Sequence, residues 1–329
     1  MGVVGAGGLG YHHVRILREM PSVTLAGFYE QDEARRALVA RELEAPAFDT
    51  LDALLDATDA LNVVVPTPAH FDVARAALAR GKHLLIEKPI TTTLEQADEL
   101  IAMADRAGVV VQTGHVERFN RAIRAALPYV ERPRFIESDR LAPFSPRGSD
   151  VAVVLDLMIH DIDLVRTLVG APVDDVRAVG VPVLTPTVDI ANARLGFTSG
   201  AVANITASRV SRERLRKIRI FQQSGYLSLD LAAGTGEFFR LRGGVDVASI
   251  AKAPPPLDLA MFVERVPLEA PEGEPLRLEF DSFVAAVRGE QPVAVSARDG
   301  RDALDVALRI VGEIERTLPS LRGAALATS

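Results

Sequence analysis

Four groups of residues in this chain have types and spacings suited to chemistry. The first, Gly5-Ala6-Gly7-Gly8-Leu9-Gly10, reads G-x-G-x-x-G between the β-type run Val3-Val4 and a helical stretch beginning at Tyr11. Glycines in such a loop permit a tight turn, close backbone approach to a pyrophosphate and close helix-to-strand packing, with the helix N-terminus facing the phosphates. Gly5, Gly7, Gly8, Leu9 and Gly10 are therefore candidate cofactor positions. Glu30 ends the next β-run, 20 residues beyond Gly10, where an acid binds an adenosine ribose hydroxyl. Separately these features read as a Gly-rich turn and an exposed acid; together, in a strand–helix–strand context, they point to a dinucleotide. The acid favours NAD over NADP because it repels a 2′-phosphate. Arg35 and Arg36 are the nearby side chains that could instead approach such a phosphate.

The second group is Glu87-Lys88-Pro89, which follows the run His83–Ile86. Lys88 thus falls just past the carboxyl end of a parallel strand, the edge at which open α/β sheets bind ligands. Pro89 restricts Lys88 to an extended geometry. The plain alternative is a solvated loop lysine.

Asp156, His160 and Asp163 form the third group, at i, i+4 and i+7 in the otherwise apolar helical stretch Val151–Val169. That spacing places them on one helix face. Burying unpaired ionisable groups costs several kcal/mol, so the face must meet a polar cavity or partner groups. Three readings stand: a core histidine with a structural aspartate, a face turned to a ligand, and a metal site. The metal reading is the weakest, because two ligands are too few and no cysteine can complete the set.

The fourth group is a basic run, Arg209, Arg212, Arg214, Arg216, Lys217 and Arg219, within 11 residues. It is either a solvated strand face, a subunit contact, or a clamp for an anionic substrate, since guanidinium groups bind diphosphates well. Arg118, Arg140 and Arg147 are further candidates for that clamp.

Two kinds of element must position these groups. Over the first ~115 residues, short β-runs alternate with helical-period stretches such as Glu33–Glu42, Phe71–Ala79 and Leu94–Arg106, as expected of a parallel sheet wrapped by helices. Beyond Gly114 a helical stretch, Val116–Val130, precedes an extended run around Phe135 and a loop rich in Pro, Gly and Ser. The helix Val151–Val169 stops at Gly170 and Pro172. The β-runs Val188–Phe197, Ala201–Val210, Leu215–Gln222 and Tyr226–Leu231 follow, then helical patterns at Leu276–Val287 and Arg301–Leu318. The expected fold is α/β: an N-terminal Rossmann-type doubly wound parallel sheet over 1–115, then an α+β substrate-binding and oligomerisation domain over 116–329 with a large, mostly antiparallel open sheet. Met1 would lie inside the first strand, leaving it short, as though the chain began late.

Composition removes other classes. The 329 residues are 48% hydrophobic and 25% charged, an ordinary globular balance. Lys plus Arg is 37 against Asp plus Glu 44, a net charge of −7, which argues against nucleic acid or an anionic membrane as partner. With no cysteine, disulfides, thiolate nucleophiles and iron–sulfur clusters are excluded. No uncharged apolar run approaches the ~18 residues of a membrane span. The opening residues lack the basic n-region of a signal peptide, and Ala6 spoils a myristoylation pattern, so a cytoplasmic protein is expected.

Val65-Pro66-Thr67-Pro68-Ala69-His70, Gly81-Lys82-His83 and Glu87-Lys88-Pro89, with the glycine loop before and Asp-x-x-x-His after, resemble the Gfo/Idh/MocA family of NAD(P)-dependent sugar oxidoreductases. The likeness runs in the family's order through most of the chain. Within that family the segments GHVERFN (114–120), PFSPRG (143–148), LDLMIHDID (155–163) and NITASRVSRERLRK (204–217) resemble bacterial UDP-N-acetylglucosamine 3-dehydrogenases of lipid A precursor synthesis. The resemblance implies that Pro66, Thr67, His70, Glu87 and Lys88 lie near NAD. It implies that Asp156 and His160 face the nicotinamide opposite Lys88. His160 would then be the general base, Asp156 would orient its imidazole, and Lys88 would hydrogen-bond the reacting oxygen; whether Lys88 or His160 first accepts the proton stays open. Arg118, Asn120, Arg147 and Arg209 would meet the substrate, and the protein would be a homo-oligomer packed through its second domain. The expected activity is oxidation of the C3 hydroxyl of UDP-N-acetylglucosamine to the 3-keto sugar. The alternatives are a dehydrogenase of a free sugar or cyclitol and a non-catalytic NAD- or sugar-sensing protein, since fold alone does not fix function. Of the remaining histidines, His12 and His13 read as surface or packing residues, His83 as structural and His115 as lining the junction between domains.

Overall fold

The structure, a computed structural model, describes residues 1–145, 151–245 and 258–326. It divides into two units, residues 1–116 with 273–305, and residues 117–272 with 306–329. The expected boundary at 115/116 thus lies one residue from the first break, but segment 273–305 returns to the first unit, which no feature of the sequence had announced.

In the first unit six strands are all parallel: β1 (Gly2–Val4), β2 (Gly27–Tyr29), β3 (Ala47–Phe48), β4 (Ala60–Val63), β5 (His83–Glu87) and β6 (Val111–Gly114), in the order β3-β2-β1-β4-β5-β6. The order reverses between β1 and β4, so the turns that leave β1, β4 and β5 gather at the carboxyl edge where such sheets hold ligands. β1 and β4 are buried along their whole length, which is why they show no apolar/polar alternation, Asn62 being a buried polar residue of β4. The connecting helices are α1 (Gly8–Glu19), α2 (Glu33–Leu43), α3 (Leu51–Asp56), α4 (Thr67–Leu78) and α5 (Leu94–Ala107). Local chemistry sets their ends: Thr93 accepts from the Gln96 N–H at the start of α5, and Gly108 closes it at φ 64°. Helix α1 starts at Gly8, three residues before the position expected from the sequence. α8 is Pro275–Val287, with Phe280 and Phe283 fully buried in the cluster of Val14, Leu17 and Phe28. That burial explains why the segment belongs to the first unit.

An eight-stranded sheet dominates the second unit: β7 (Phe135–Leu141), β8 (Val173–Val181), β9 (Ile190–Phe197), β10 (Val202–Ser208), β11 (Leu215–Gln222), β12 (Gly225–Asp230), β13 (Thr235–Leu241) and β14 (Val263–Leu268). The order is β14-β13-β12-β11-β7-β10-β9-β8, antiparallel except for the β7–β10 pair. Alternation assigns the faces. Ile136, Ser138 and Arg140 of β7 are buried, whereas Phe135, Glu137 and Asp139 are half-buried. On that second face Phe135, Phe221, Tyr226 and Phe239 stack across four strands with ring centroids 4.9–5.7 Å apart. The unit's described helices are α6 (Arg121–Ala126), α7 (Ile159–Val169) and the end of α9 (Ala297–Leu326), within which the two units divide.

Two helical expectations need correction. Val116–Val130 is not one helix: 3₁₀ turns at Val116–Phe119 and Leu127–Tyr129 flank the short α6. Val151–Val169 is α-helical only from Ile159, because Val154–Met158 forms a π-type turn. An inserted π turn shifts the helix phase, so the i, i+4 relation of Asp156 to His160 is no longer that of a straight α-helix. Such turns occur frequently at functional sites.

Candidate active site

The glycine loop is pinned at two positions and open at a third. Gly5 has φ +91°, and a Cβ on it would sit 2.8 Å from the Val64 carbonyl oxygen. On Gly10 a Cβ would fall 2.0 Å from the Gly5 carbonyl oxygen. A Cβ on Gly7 would meet nothing within 4 Å. Gly7 also caps α1 without any side-chain hydrogen bond, so the helix presents its first backbone N–H groups and the positive end of its dipole. Glu30 lies against this loop: Oε2 accepts the Ala6 N–H at 2.7 Å and Oε1 the Asp32 N–H at 3.1 Å. A carboxylate has about four acceptor sites, so two remain for a ribose diol. An open glycine, an uncapped helix start and an adjoining acid together fit a dinucleotide.

Arg35 and Arg36 are struts of the same loop. Arg35 donates from Nε to the Ala6 carbonyl at 2.9 Å and from Nη2 to the Gly7 carbonyl at 3.3 Å, and lies over the Tyr11 ring. Arg36 donates to the Glu30 carbonyl at 2.9 Å and pairs with Asp49 at 3.4 Å.

At the next turn, β5 ends at Glu87, and the Lys88–Pro89 peptide is cis. Lys88 is half-buried, and its backbone N–H donates to Glu87 Oε2 at 3.2 Å. Glu87 Oε1 lies 3.3 Å from His13 Nε2. Burial opposes the Glu87 charge, but His13, the Lys88 ammonium and His70 outweigh it and hold the carboxyl below the ordinary range. Gly114 on β6 leaves the room: a Cβ there would approach Glu87 Oε1 to 3.0 Å. His70 on α4 is 1% exposed and bridges two turns, with Nδ1 2.9 Å from the Pro89 carbonyl and Nε2 2.8 Å from the Val65 carbonyl. Burial pushes its imidazole below the ordinary value, although the two carbonyls and Glu87 work the other way. Pro66 caps α4 and Thr67 begins it, with Pro68 in the first turn. The loop, Glu30, Pro66, Thr67, His70, Glu87 and Lys88 therefore all belong to the carboxyl edge of one sheet.

In the second unit the polar stripe comes apart. Asp156 and His160 are half-buried, while Asp163 is 1% exposed and held bidentately by Arg118 at 2.7 and 2.6 Å. Asp161, passed over in the sequence, is also 1% exposed, and it accepts from Arg140 Nε at 2.6 Å and Ser138 Oγ at 2.9 Å. Glu117 completes a cluster, accepting from Arg140 at 2.9 Å and from Arg216 at 3.4 Å. Burial would lower the Arg140 pKa, but Asp161 and Glu117 raise it well above normal. Burial and the neighbouring Arg140 depress that of Arg216, which is more exposed.

Three substrate expectations change with these contacts. Arg118 has its guanidinium edge on Asp163. Asn120 is 7% exposed and caps α6, its Oδ1 accepting the Ala122 N–H at 3.0 Å and its Nδ2 donating to Glu117 and the Leu231 carbonyl. Arg209 is 3% exposed, 3.1 Å from Asp189, and donates to the Val188 carbonyl and Thr187 hydroxyl. Each is a scaffold residue in this structure because its polar atoms already serve backbone or buried carboxylates. The basic run likewise divides by strand alternation: Arg216 sides with Arg140, whereas Lys217 and Arg219 point to the other face, where Arg219 pairs with Glu137 at 3.1 Å. Arg147 lies outside the described residues. Of the other histidines, His12 is exposed, His13 and His115 are buried, and His83 accepts the Val110 N–H at 2.9 Å. Among the described residues no His, Asp and Glu cluster is arranged to hold a metal, and no helix is long and apolar enough to cross a membrane.

Residues 1–115 match an oxidoreductase family with an NAD-binding Rossmann fold, GFO/IDH/MocA, and residues 129–228 match the C-terminal domain of the same family. The chain belongs to the Gfo/Idh/MocA family. It is an NAD-dependent oxidoreductase. A UDP-N-acetylglucosamine 3-dehydrogenase of Acidithiobacillus ferrooxidans is 38% identical over 322 residues, covering 96% of this chain and 97% of that protein. Its solved structure superposes with a TM-score of 0.88, at the same coverage. A myo-inositol 2-dehydrogenase of Thermotoga maritima is 27% identical over 323 residues, 92% of each chain.

Proposed function

We propose that this enzyme oxidises the C3 hydroxyl of UDP-N-acetylglucosamine to the 3-keto sugar with NAD. The observation that carries the reading is similarity to a dehydrogenase of that substrate at 38% identity through 96% of the chain, which spans both units. The two-electron oxidation removes a hydride from C3 and a proton from its oxygen. Bound NAD supplies the hydride acceptor. Lys88 hydrogen-bonds the reacting oxygen and His160 takes the proton, with an imidazole reference pKa near neutrality suited to that work. Asp156 orients the imidazole and stabilises its charged form. Arg212 and Arg214 meet the diphosphate, whose charge-assisted hydrogen bonds anchor the substrate remotely from C3. The enzyme works in the cytoplasm as a homo-oligomer, and the stacked aromatic face of the second unit's sheet is the surface that favours association.

The test is to follow NADH with UDP-N-acetylglucosamine, UDP-glucose, N-acetylglucosamine and myo-inositol, trapping the ketone with a carbonyl reagent. Turnover of UDP-N-acetylglucosamine is expected, and removal of UDP should lower kcat as well as raise KM. Turnover of myo-inositol without turnover of the UDP-sugars would instead establish the cyclitol reading, which the similarity to the Thermotoga enzyme favours second. NAD should exceed NADP in kcat/KM, and Glu30→Ala should narrow the difference. Equal kcat/KM for the two cofactors in the parent enzyme would contradict the role of Glu30.

A further inference from the structure

His13 has no place in the chemistry derived so far, yet it is fully buried on α1, hydrogen-bonded at Nδ1 and within ion-pair distance of Glu87 at Nε2. Its Nδ1 is 3.2 Å from Asn62 Nδ2 on β4. An amide NH₂ only donates, so Nδ1 is the acceptor and the ring proton sits on Nε2. Nε2 lies 3.3 Å from Glu87 Oε1. The other oxygen of the same carboxylate accepts the Lys88 backbone N–H at 3.2 Å. A file of three buried side chains, Asn62, His13 and Glu87, therefore ends on the backbone of the lysine at the sheet edge.

The surroundings make this file specific. Phe280 of α8 packs on the His13 ring with centroids 5.0 Å apart, which holds the ring's plane. Gly114 of β6 lies close to the carboxylate, where a Cβ would come within 3.0 Å of Oε1. The charged or titratable groups acting on Glu87 are His13 from α1, His70 from α4 and Lys88 in the turn itself. A carboxylate buried in this way costs free energy unless it is bonded, and His13 is the side-chain donor that faces it.

We propose that His13 is a positioning residue for Lys88: by bonding Glu87 it holds, in one place, the carboxylate that fixes the Lys88 backbone and balances its ammonium. The inference rests on Lys88 being the reacting lysine, but its test does not need turnover. Acetylation of Lys88 by acetic anhydride at pH 8, without substrate, reports the fraction of neutral amine; exposed Lys217 serves as the internal reference.

Glu87→Gln removes the negative charge and should raise the relative Lys88 rate about tenfold, the effect of a shift of about one pH unit. His13→Leu leaves the carboxylate without its donor and should raise the rate at least ~3-fold in the same direction. The double variant should react no faster than Glu87→Gln alone, because both changes act through one group. His13→Gln keeps an N–H donor and should stay within about twofold of the parent. In turnover, His13→Leu should lower kcat with KM for NAD little changed, and Lys88→Met separately checks whether Lys88 reacts at all. An unchanged Lys88 rate in Glu87→Gln, which keeps the shape of the carboxylate, overturns the proposal even if His13→Leu fails to fold. So does an unchanged rate in folded His13→Leu, or effects of the two single variants that multiply in the double.

Discussion

In the first unit Asn62, His13 and Glu87 stand in single file from a buried strand to the turn at Lys88, whereas in the second unit Arg118, Arg140 and Arg216 face Glu117, Asp161 and Asp163 in a charge-balanced cluster. Both sets are buried polar groups, but they do different things. The file has one formal charge of its own and hands it to the lysine that follows in the chain. The cluster satisfies its charges internally and ties the 3₁₀ turn Val116–Phe119 to α7 and to strands β7 and β11. Burial of charge thus serves the turn of the edge lysine in one unit and a scaffold in the other.

The largest expected effect tests the scaffold side of this contrast. Asp161→Ala leaves Arg140 buried without its main partner and should lower unfolding stability by about 3–5 kcal/mol, measured by urea denaturation. A loss below about 1 kcal/mol would mean that the cluster is not a scaffold. On the chemical side, Lys88→Met and His160→Ala should each lower kcat by at least ~100-fold while NAD binding and melting temperature are retained. Near-parental kcat at saturating substrate in either variant would remove that residue from the chemistry.

Acid stability distinguishes the units more finely. Asp189, in the second unit, is buried, which opposes its charge, yet it accepts from Thr185, Leu184 and Val183 and is lowered to about 2. A depressed carboxyl contributes stability above its unfolded value of 3.8 and loses it as the pH falls toward the folded value, so the loss runs from about pH 4 to about pH 2. Asp189→Asn should flatten the pH dependence of the melting temperature in that window; an unaltered slope would contradict the assignment. The smallest effect belongs to Arg219→Ala, since its pair with Glu137 is half-exposed, and a change above about 1 kcal/mol would show that this face is covered.

Much of the site's first half was legible in the sequence because local rules govern it. The glycines at 5 and 10 are demanded by backbone approach, Gly7 leaves the loop open between them, and Glu30 follows at the distance one strand–helix–strand unit imposes. Lys88 was legible for the same reason, since it directly follows a strand. The second half was harder. Asp156, His160 and Asp163 share a face only if the helix is regular, and the π turn at Val154–Met158 breaks that assumption. Asp161 was overlooked because a spacing rule selects one face of a helix, and Arg140, its partner, lies 21 residues away on a strand.

The sequence by itself determined the two kinds of sheet, the dinucleotide loop, the edge lysine and the family, because periodicity, turn chemistry and motif spacing act over a few residues. Tertiary structure alone decided the roles of the buried polar groups. His13 looked like a packing residue, and Arg118, Asn120 and Arg209 looked like substrate contacts. Whether a charged or polar side chain is free for a ligand depends on which oxygen or nitrogen faces it once the chain has closed. For Arg209 that partner is Asp189, for Asn120 the Leu231 carbonyl, and for His13 it is Asn62 on one side and Glu87, 74 positions on, on the other. Such pairings are long-range, and desolvation makes them obligatory only after burial.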